Sequence, residues 1–151
     1  MMSTGYVIVV GVDGSDEGRH ALEWAAGQAT ARGGTVRAVI AWSWDGMDYG
    51  PLPADTGEEE EQRVSRVVRE QVRAVRTDRG PAPPISAEVV EGSPAEALTA
   101  AARDADMLVL GSHGHSRVRH TVLGSVSESC IRLATCPVVV IPARVREPAT
   151  V

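Results

Sequence analysis

Five short apolar runs rich in β-branched residues, YVIVV, TVRAVIAW, ISAEVV, DMLVL and PVVVI, are spread along the chain, with a helical stretch between each and the next. Continuous runs of this length, bounded by Gly, Asp, Ser and Pro, read as strands buried on both faces. Strands that alternate with helices call for an open parallel sheet covered by helices on either side, an α/β fold.

The helical stretches carry their own start and stop signals. Ser15 is placed to cap the first, Asp16 and Glu17 suit its positive end, and Gly33-Gly34 stop it. Ala21, Leu22, Ala25, Ala26 and Ala29 recur at helical spacing and form its buried side. SWDGMDYGPLPADTG, after the second strand, is rich in Gly, Pro and Asp and reads as a long loop. The helix over EEEEQRVSRVVREQVRAVRTDRG has one apolar stripe, Val64, Val67, Val68, Val72 and Val75, with an acidic start and a basic end. Ser93 and Pro94 open a third helix at the cap and first position, and Glu96 three residues after Ser93 predicts a capping box. Its buried face is expected to hold Ala95, Leu98, Ala101 and Ala102. GSVSESCIRLAT reads as the fourth helix.

A chain of 151 residues suits one domain, taken here as 1–151 with a core over about 5–143 and a tail at 144–151. Fifteen basic against twenty acidic residues leave a net charge of −5, which argues against a general nucleic-acid or anionic-membrane binder. No apolar stretch reaches membrane-spanning length, and MMSTGYVIVVGVDGS lacks a basic region and a cleavage site, so a soluble, cytoplasmic protein is expected. Cys130 and Cys136 fit neither a disulfide framework nor a CxxC motif and are expected as small core residues.

Ligands of open parallel α/β sheets bind beyond the carboxyl ends of the strands, where the strand order reverses. Two strand ends here carry unusual residues, GVDGS after the first and GSHGHS after the fourth. If those strands are neighbours, both loops face one cleft. Gly111 and Gly114 let the backbone turn sharply and approach a ligand. Gly124 and Ser125 open the fourth helix, whose free amides and dipole make an anion site. Ser125 and Ser127 are placed to add hydroxyls, and His113, His115, Arg117 or Arg119 to add positive charge. The pattern is neither GxGxxG nor the Walker sequence, and the loop has no lysine. A plain strand-to-helix connection, with glycine turns and Ser125 as a cap, stays open on this pattern alone.

Gly111, two residues, Gly114, nine residues and Gly124-Ser125 resemble the G-2x-G-9x-G-[S/T] signature of ATP-binding universal stress proteins. VIVVGVDGSDEGRHALEWAA, VVEGSPAEAL and CPVVVIP are similar to other parts of the same family, so the likeness covers nearly the whole chain except the loop at 43–57. The resemblance implies a sheet of order 3-2-1-4-5 and binding of ATP, with magnesium only as companion to the triphosphate. It places Gly11, Val12 and Asp13 at the end of the first strand, with Asp13 toward the ribose, and Ala41 against the adenine. Gly111, His113, Gly114 and His115 would line the phosphates, with Gly124, Ser125, Val126 and Ser127 closing around them. It also implies a homodimer, and the strand over 137–142 is an apolar edge suited to pairing with its own copy.

Asp13 has a local alternative, bonding the backbone of its own turn. His113, His115 and His120 have no cysteine or carboxylate beside them in their loop, which argues against zinc. Trp24 is expected in the core, and Trp42 and Trp44 along the adenine side of the cleft. Three functions follow. A nucleotide-dependent regulatory module in the stress response ranks first, a slow ATPase or nucleotidyl or phosphoryl transferase second, and a nucleotide-free, chaperone-like interaction protein third.

Overall fold

The computed structural model describes residues 5–43, 57–78, 83–112 and 123–142. In chain order these form β1 (Val7–Gly11), α1 (Asp16–Arg32), β2 (Thr35–Trp42), α2 (Gly57–Asp78), β3 (Ile85–Glu91), α3 (Pro94–Ala101), β4 (Met107–Gly111), α4 (Ser125–Leu133) and β5 (Val138–Ile141). The strands make one sheet of order β3-β2-β1-β4-β5, every neighbouring pair parallel. This is the α/β fold and the strand order expected from the sequence. Most of the long loop after β2 lies outside the described residues.

Alternation along the strands divides the core between two faces. Ile8, Val10, Val36, Ala38, Ile40 and Val109 point toward α1 and α2, where they meet Leu22, Ala25, Val68, Val72 and Val75. Val9, Val39, Leu108 and Leu110 point the other way, toward Leu98 and Ala102 of the α3 region and Cys130 of α4. Trp24 packs partly buried against the first cluster. Both cysteines belong to the second, and burial pushes the Cys130 thiol up to about 11. Among the described residues no helix is long and apolar enough to cross a membrane.

The local signals act as expected in α1. Ser15 is its N-cap, with its hydroxyl accepting from the Gly18 amide at 3.1 Å, and Gly33 ends it in the left-handed region at φ 66°. The α2 stripe is also present, with Val68, Val72 and Val75 buried and Val64 and Val67 partly buried. The α3 cap differs from the expected box. Ser93 is the N-cap residue, but its hydroxyl donates to Glu96 Oε1 at 3.1 Å and makes no bond to a helix amide. A carboxylate is a stronger acceptor than a hydroxyl, so the two side chains satisfy each other rather than the backbone. Ala97, not singled out in the sequence, is buried on that helix together with Leu98.

Candidate functional site

β1 and β4 lie side by side, with Ile8 opposite Met107 and Val10 opposite Val109. The chain winds from β1 out through β2 to β3, then returns to β4 on the other side of β1. The loops after β1 and β4 therefore leave the sheet at its reversal point, and a cavity of about 290 Å³ opens there.

Gly11, Val12 and Asp13 line it from the end of β1, Ala41 from β2, Gly111 from β4, and Gly124, Ser125, Val126 and Ser127 from the start of α4. The fold thus gathers nine of the sequence-selected positions around one space. His113, Gly114 and His115 lie outside the described residues, as do Arg117, Arg119, His120 and Trp44. Trp42 does not line the cavity. It follows Ala41, and successive side chains on a strand point to opposite faces, so Ala41 and Trp42 do not share one. Pro94, Leu98, Leu110, Ser112 and Gly18 line the cavity without having been selected from the sequence. Leu98 and Leu110 look like ordinary core residues in sequence, and only the crossing of α3 over β1 turns Leu98 toward a ligand space.

The base of the cavity is tight. A Cβ on Gly11 would lie 2.7 Å from Leu98 Cδ1 and 2.8 Å from Leu110 Cδ2, so glycine is what lets both leucines close over the strand end. A Cβ on Gly111 would meet Glu17 of α1 at 3.1 Å. The chain on either side of 113–122 is drawn into a neck: the Gly124 amide donates to the Ser112 carbonyl at 2.6 Å, and Ser127 Oγ donates to the Gly111 carbonyl at 2.8 Å. Ser112, itself buried, donates its hydroxyl to Glu17 Oε1 at 3.1 Å and its amide to Ile141.

Three helices, α1, α3 and α4, begin near this cavity, and the ends of α1 and α4 differ. The α1 end is occupied by its own residues: Ser15 caps it, and Asp13 Oδ1 accepts from the Ser15 amide at 2.9 Å and from the Ser15 hydroxyl. Asp16 and Glu17 add negative charge in its first turn. Asp13 is exposed and takes the turn role open to it in sequence, which fixes the carboxylate at the cavity mouth. The α4 end has glycine as its cap residue and no side-chain cap bond among the described residues. The first amides of a helix have no partner within it, and with the dipole they carry partial positive charge. Those of Ser125, Val126 and Ser127 stand at the cavity wall, where they suit an anion.

Chemically the cavity is two-ended. Ala41, Val12, Pro94 and Leu98 make an apolar side toward β2 and α3, and the α4 amides stand beyond β4. Two strand spacings, about 10 Å, separate β2 from β4. Such a space fits a ligand with a flat apolar ring at one end and a negative group at the other. Among the described residues no group of three His, Cys, Asp or Glu is placed to hold a metal ion.

Residues 7–142 match the family described as the Universal stress protein family. A universal stress protein of Mycobacterium tuberculosis is 35% identical over 140 residues, which cover 89% of this chain and 47% of the relative, so the chain spans about half of that protein's length. Among solved structures, a universal stress protein in complex with cAMP superposes with a TM-score of 0.69 at 24% identity, over 92% of this chain and 98% of the other. A universal stress protein from Archaeoglobus fulgidus in complex with dAMP gives 0.68 at 24% identity, over 92% and 99%.

Proposed function

Given that this chain belongs to the universal stress protein family, we propose that it binds an adenine nucleotide, ATP in the first instance, and acts as a nucleotide-dependent regulatory module. The α4 N-terminus at the cavity wall, with no side-chain cap among the described residues, is the observation that carries this reading. In it, the base lies against Ala41 and Val12, Asp13 accepts from the ribose hydroxyls, and the phosphates lie on the amides of Gly124 to Ser127. Asp13 is suited to the ribose role because its carboxylate, an acceptor when ionised, stands at the cavity mouth. His113, Gly114 and His115 complete the phosphate side, and magnesium enters only with a triphosphate. The two relatives solved with cAMP and dAMP support an adenine nucleotide as the ligand class.

Calorimetric titration with ATP, cAMP and dAMP tests the assignment. Binding is expected, and Gly124→Asp should abolish it by setting a negative side chain against the amides that hold the phosphate. No heat with any of the three nucleotides would reject the reading. A homodimer forms part of the proposal, with the half-exposed β5 strand Val138–Ile141 pairing with its copy and Ile131 and Leu133 of α4 exposed on the chain that precedes it. Sedimentation that shows only monomer at micromolar concentration would remove it.

A further inference from the structure

Pro94 and Leu98 bring α3, a helix of two turns with no side-chain cap at its start among the described residues, to the cavity wall. A helix this short has little stability of its own and takes its position from what it packs against. Its inner face is held by Leu98 and by Ala102, just past the helix, in the core between α3, α4 and the sheet. Its last carbonyl is held differently. Arg37, on β2, donates from Nη1 to the Ala101 carbonyl at 3.0 Å.

That guanidinium is itself fixed. Nε donates to Glu88 Oε2 at 2.7 Å and Nη2 to Glu88 Oε1 at 2.8 Å, a two-pronged pair across the β2–β3 edge, with the Ser86 hydroxyl on the same carboxylate. The fork leaves one nitrogen directed at the helix, and the planar geometry of the group ties the three contacts together. A cation at the carbonyl end of a helix also complements its dipole. Leu98 lies one turn before Ala101, and its Cδ1 is the atom that a Cβ on Gly11 would strike at 2.7 Å. Any slide or tilt of α3 therefore moves Leu98 over the end of β1, and Pro94 with it.

We propose that Arg37 is a positioning residue for the nucleotide site: it anchors the C-terminal end of α3 to the sheet and so sets where Leu98 and Pro94 stand at the cavity. Arg37 does not line the cavity; it acts through the helix. The inference rests on the nucleotide reading for its functional consequence, whereas the anchoring itself is a property of the fold.

Arg37→Met keeps the aliphatic stem and removes all three donors. Glu88→Gln weakens the sheet-edge pair and leaves Arg37 able to reach Ala101. Amide hydrogen exchange, thermal midpoint and nucleotide affinity are measured on both. In Arg37→Met the amides of Ala97 and Ala102 should exchange about tenfold faster than in the wild type while those of α1 do not change, and nucleotide affinity should fall about tenfold, the scale of one lost hydrogen bond to a charged group. In Glu88→Gln the midpoint should fall, with α3 exchange and affinity within about twofold of the wild type. Should Arg37→Met fail to fold, Arg37→Lys, whose single ammonium can serve Glu88 or Ala101 but not both, is read by the same measurements. Exchange that rises equally in α1 and α3 overturns the anchor. Wild-type affinity with a loosened α3 overturns its link to the site. A wild type that binds no nucleotide rejects the site reading instead, and leaves the exchange result to decide the anchor.

Discussion

Ser127, in the first turn of α4, donates its hydroxyl to the carbonyl of Gly111 at the end of β4, sixteen residues earlier, at a distance of 2.8 Å. It also lies 3.4 Å from the Ser112 carbonyl and is 3% exposed. The hydroxyl thus points into the protein and not into the cavity it borders. It holds the start of α4 against the strand end, and in the proposed anion site this keeps the amides of that turn aimed at one point.

Ser127→Ala removes this tie and changes the cavity wall by no more than one hydroxyl. A stability loss of about 1 kcal/mol is expected for one buried hydrogen bond, together with the cost of an unsatisfied carbonyl. Nucleotide affinity should fall, and Ser127→Thr, which keeps the hydroxyl, should restore most of it. Thermal unfolding and calorimetry on the two variants check this. An alanine variant with unchanged affinity and lowered stability would confine Ser127 to a structural role.

Gly11→Ala places a methyl group where Leu98 Cδ1 and Leu110 Cδ2 already are, at 2.7 and 2.8 Å. Overpacking of this kind costs about 1–3 kcal/mol. Because both leucines line the cavity, affinity should drop as well. Leu98→Ala in the Gly11→Ala background should recover part of the stability, since it frees the space the methyl needs. Purely additive losses would show that the two positions do not share that space.

The Arg37–Glu88 pair makes stability depend on pH in the acid range. The hydrogen bond from Arg37 holds the Glu88 carboxyl below its ordinary value, against the opposing effect of burial. A carboxyl lowered in the folded state adds stability that is fully present above its unfolded pKa and is lost as pH falls through the folded one. Both side chains are about one-third exposed, so solvent screens the pair and about 1 kcal/mol is the scale. The stability gap between wild type and Glu88→Gln should therefore be constant from pH 6 to 8, shrink below about pH 5 and vanish in stronger acid. A gap that does not change with pH would contradict the assignment.

Cys130 is fully buried, and burial pushes its thiol up to about 11. Thiolate is the reactive form, so Cys130 should resist thiol reagents at pH 8 in the native protein and react on unfolding. Cys136 is raised by burial and by Asp106 but is only partly covered, and it should react first. Mass-spectrometric mapping of the labelled peptides separates the two. Faster labelling of Cys130 would mean that α4 opens readily from the sheet.

Features that act over a few residues are legible in the sequence itself. The Ser15 cap, the Gly33 stop, the valine stripe of α2 and all five strands depend on local geometry and on a repeat in hydrophobicity. The glycine spacing of 111, 114 and 124 carried the likeness to the universal stress protein family, and nine of the residues it and the strand ends pointed to meet at one cavity. The α3 capping box was the local feature that differed, because the hydroxyl of Ser93 and the carboxylate of Glu96 bond each other.

The sequence by itself determined which segments are strands and helices and which faces they bury, since each of these follows from neighbours in the chain. Tertiary structure alone decided that Leu98 closes over Gly11, that Ser127 turns back to Gly111, and that Arg37 of β2 holds Glu88 of β3 and Ala101 of α3 across separations of 51 and 64 residues. No periodicity encodes such contacts. They exist because parallel strands, packed about 5 Å apart, bring distant parts of the chain within hydrogen-bonding reach only after the sheet has formed.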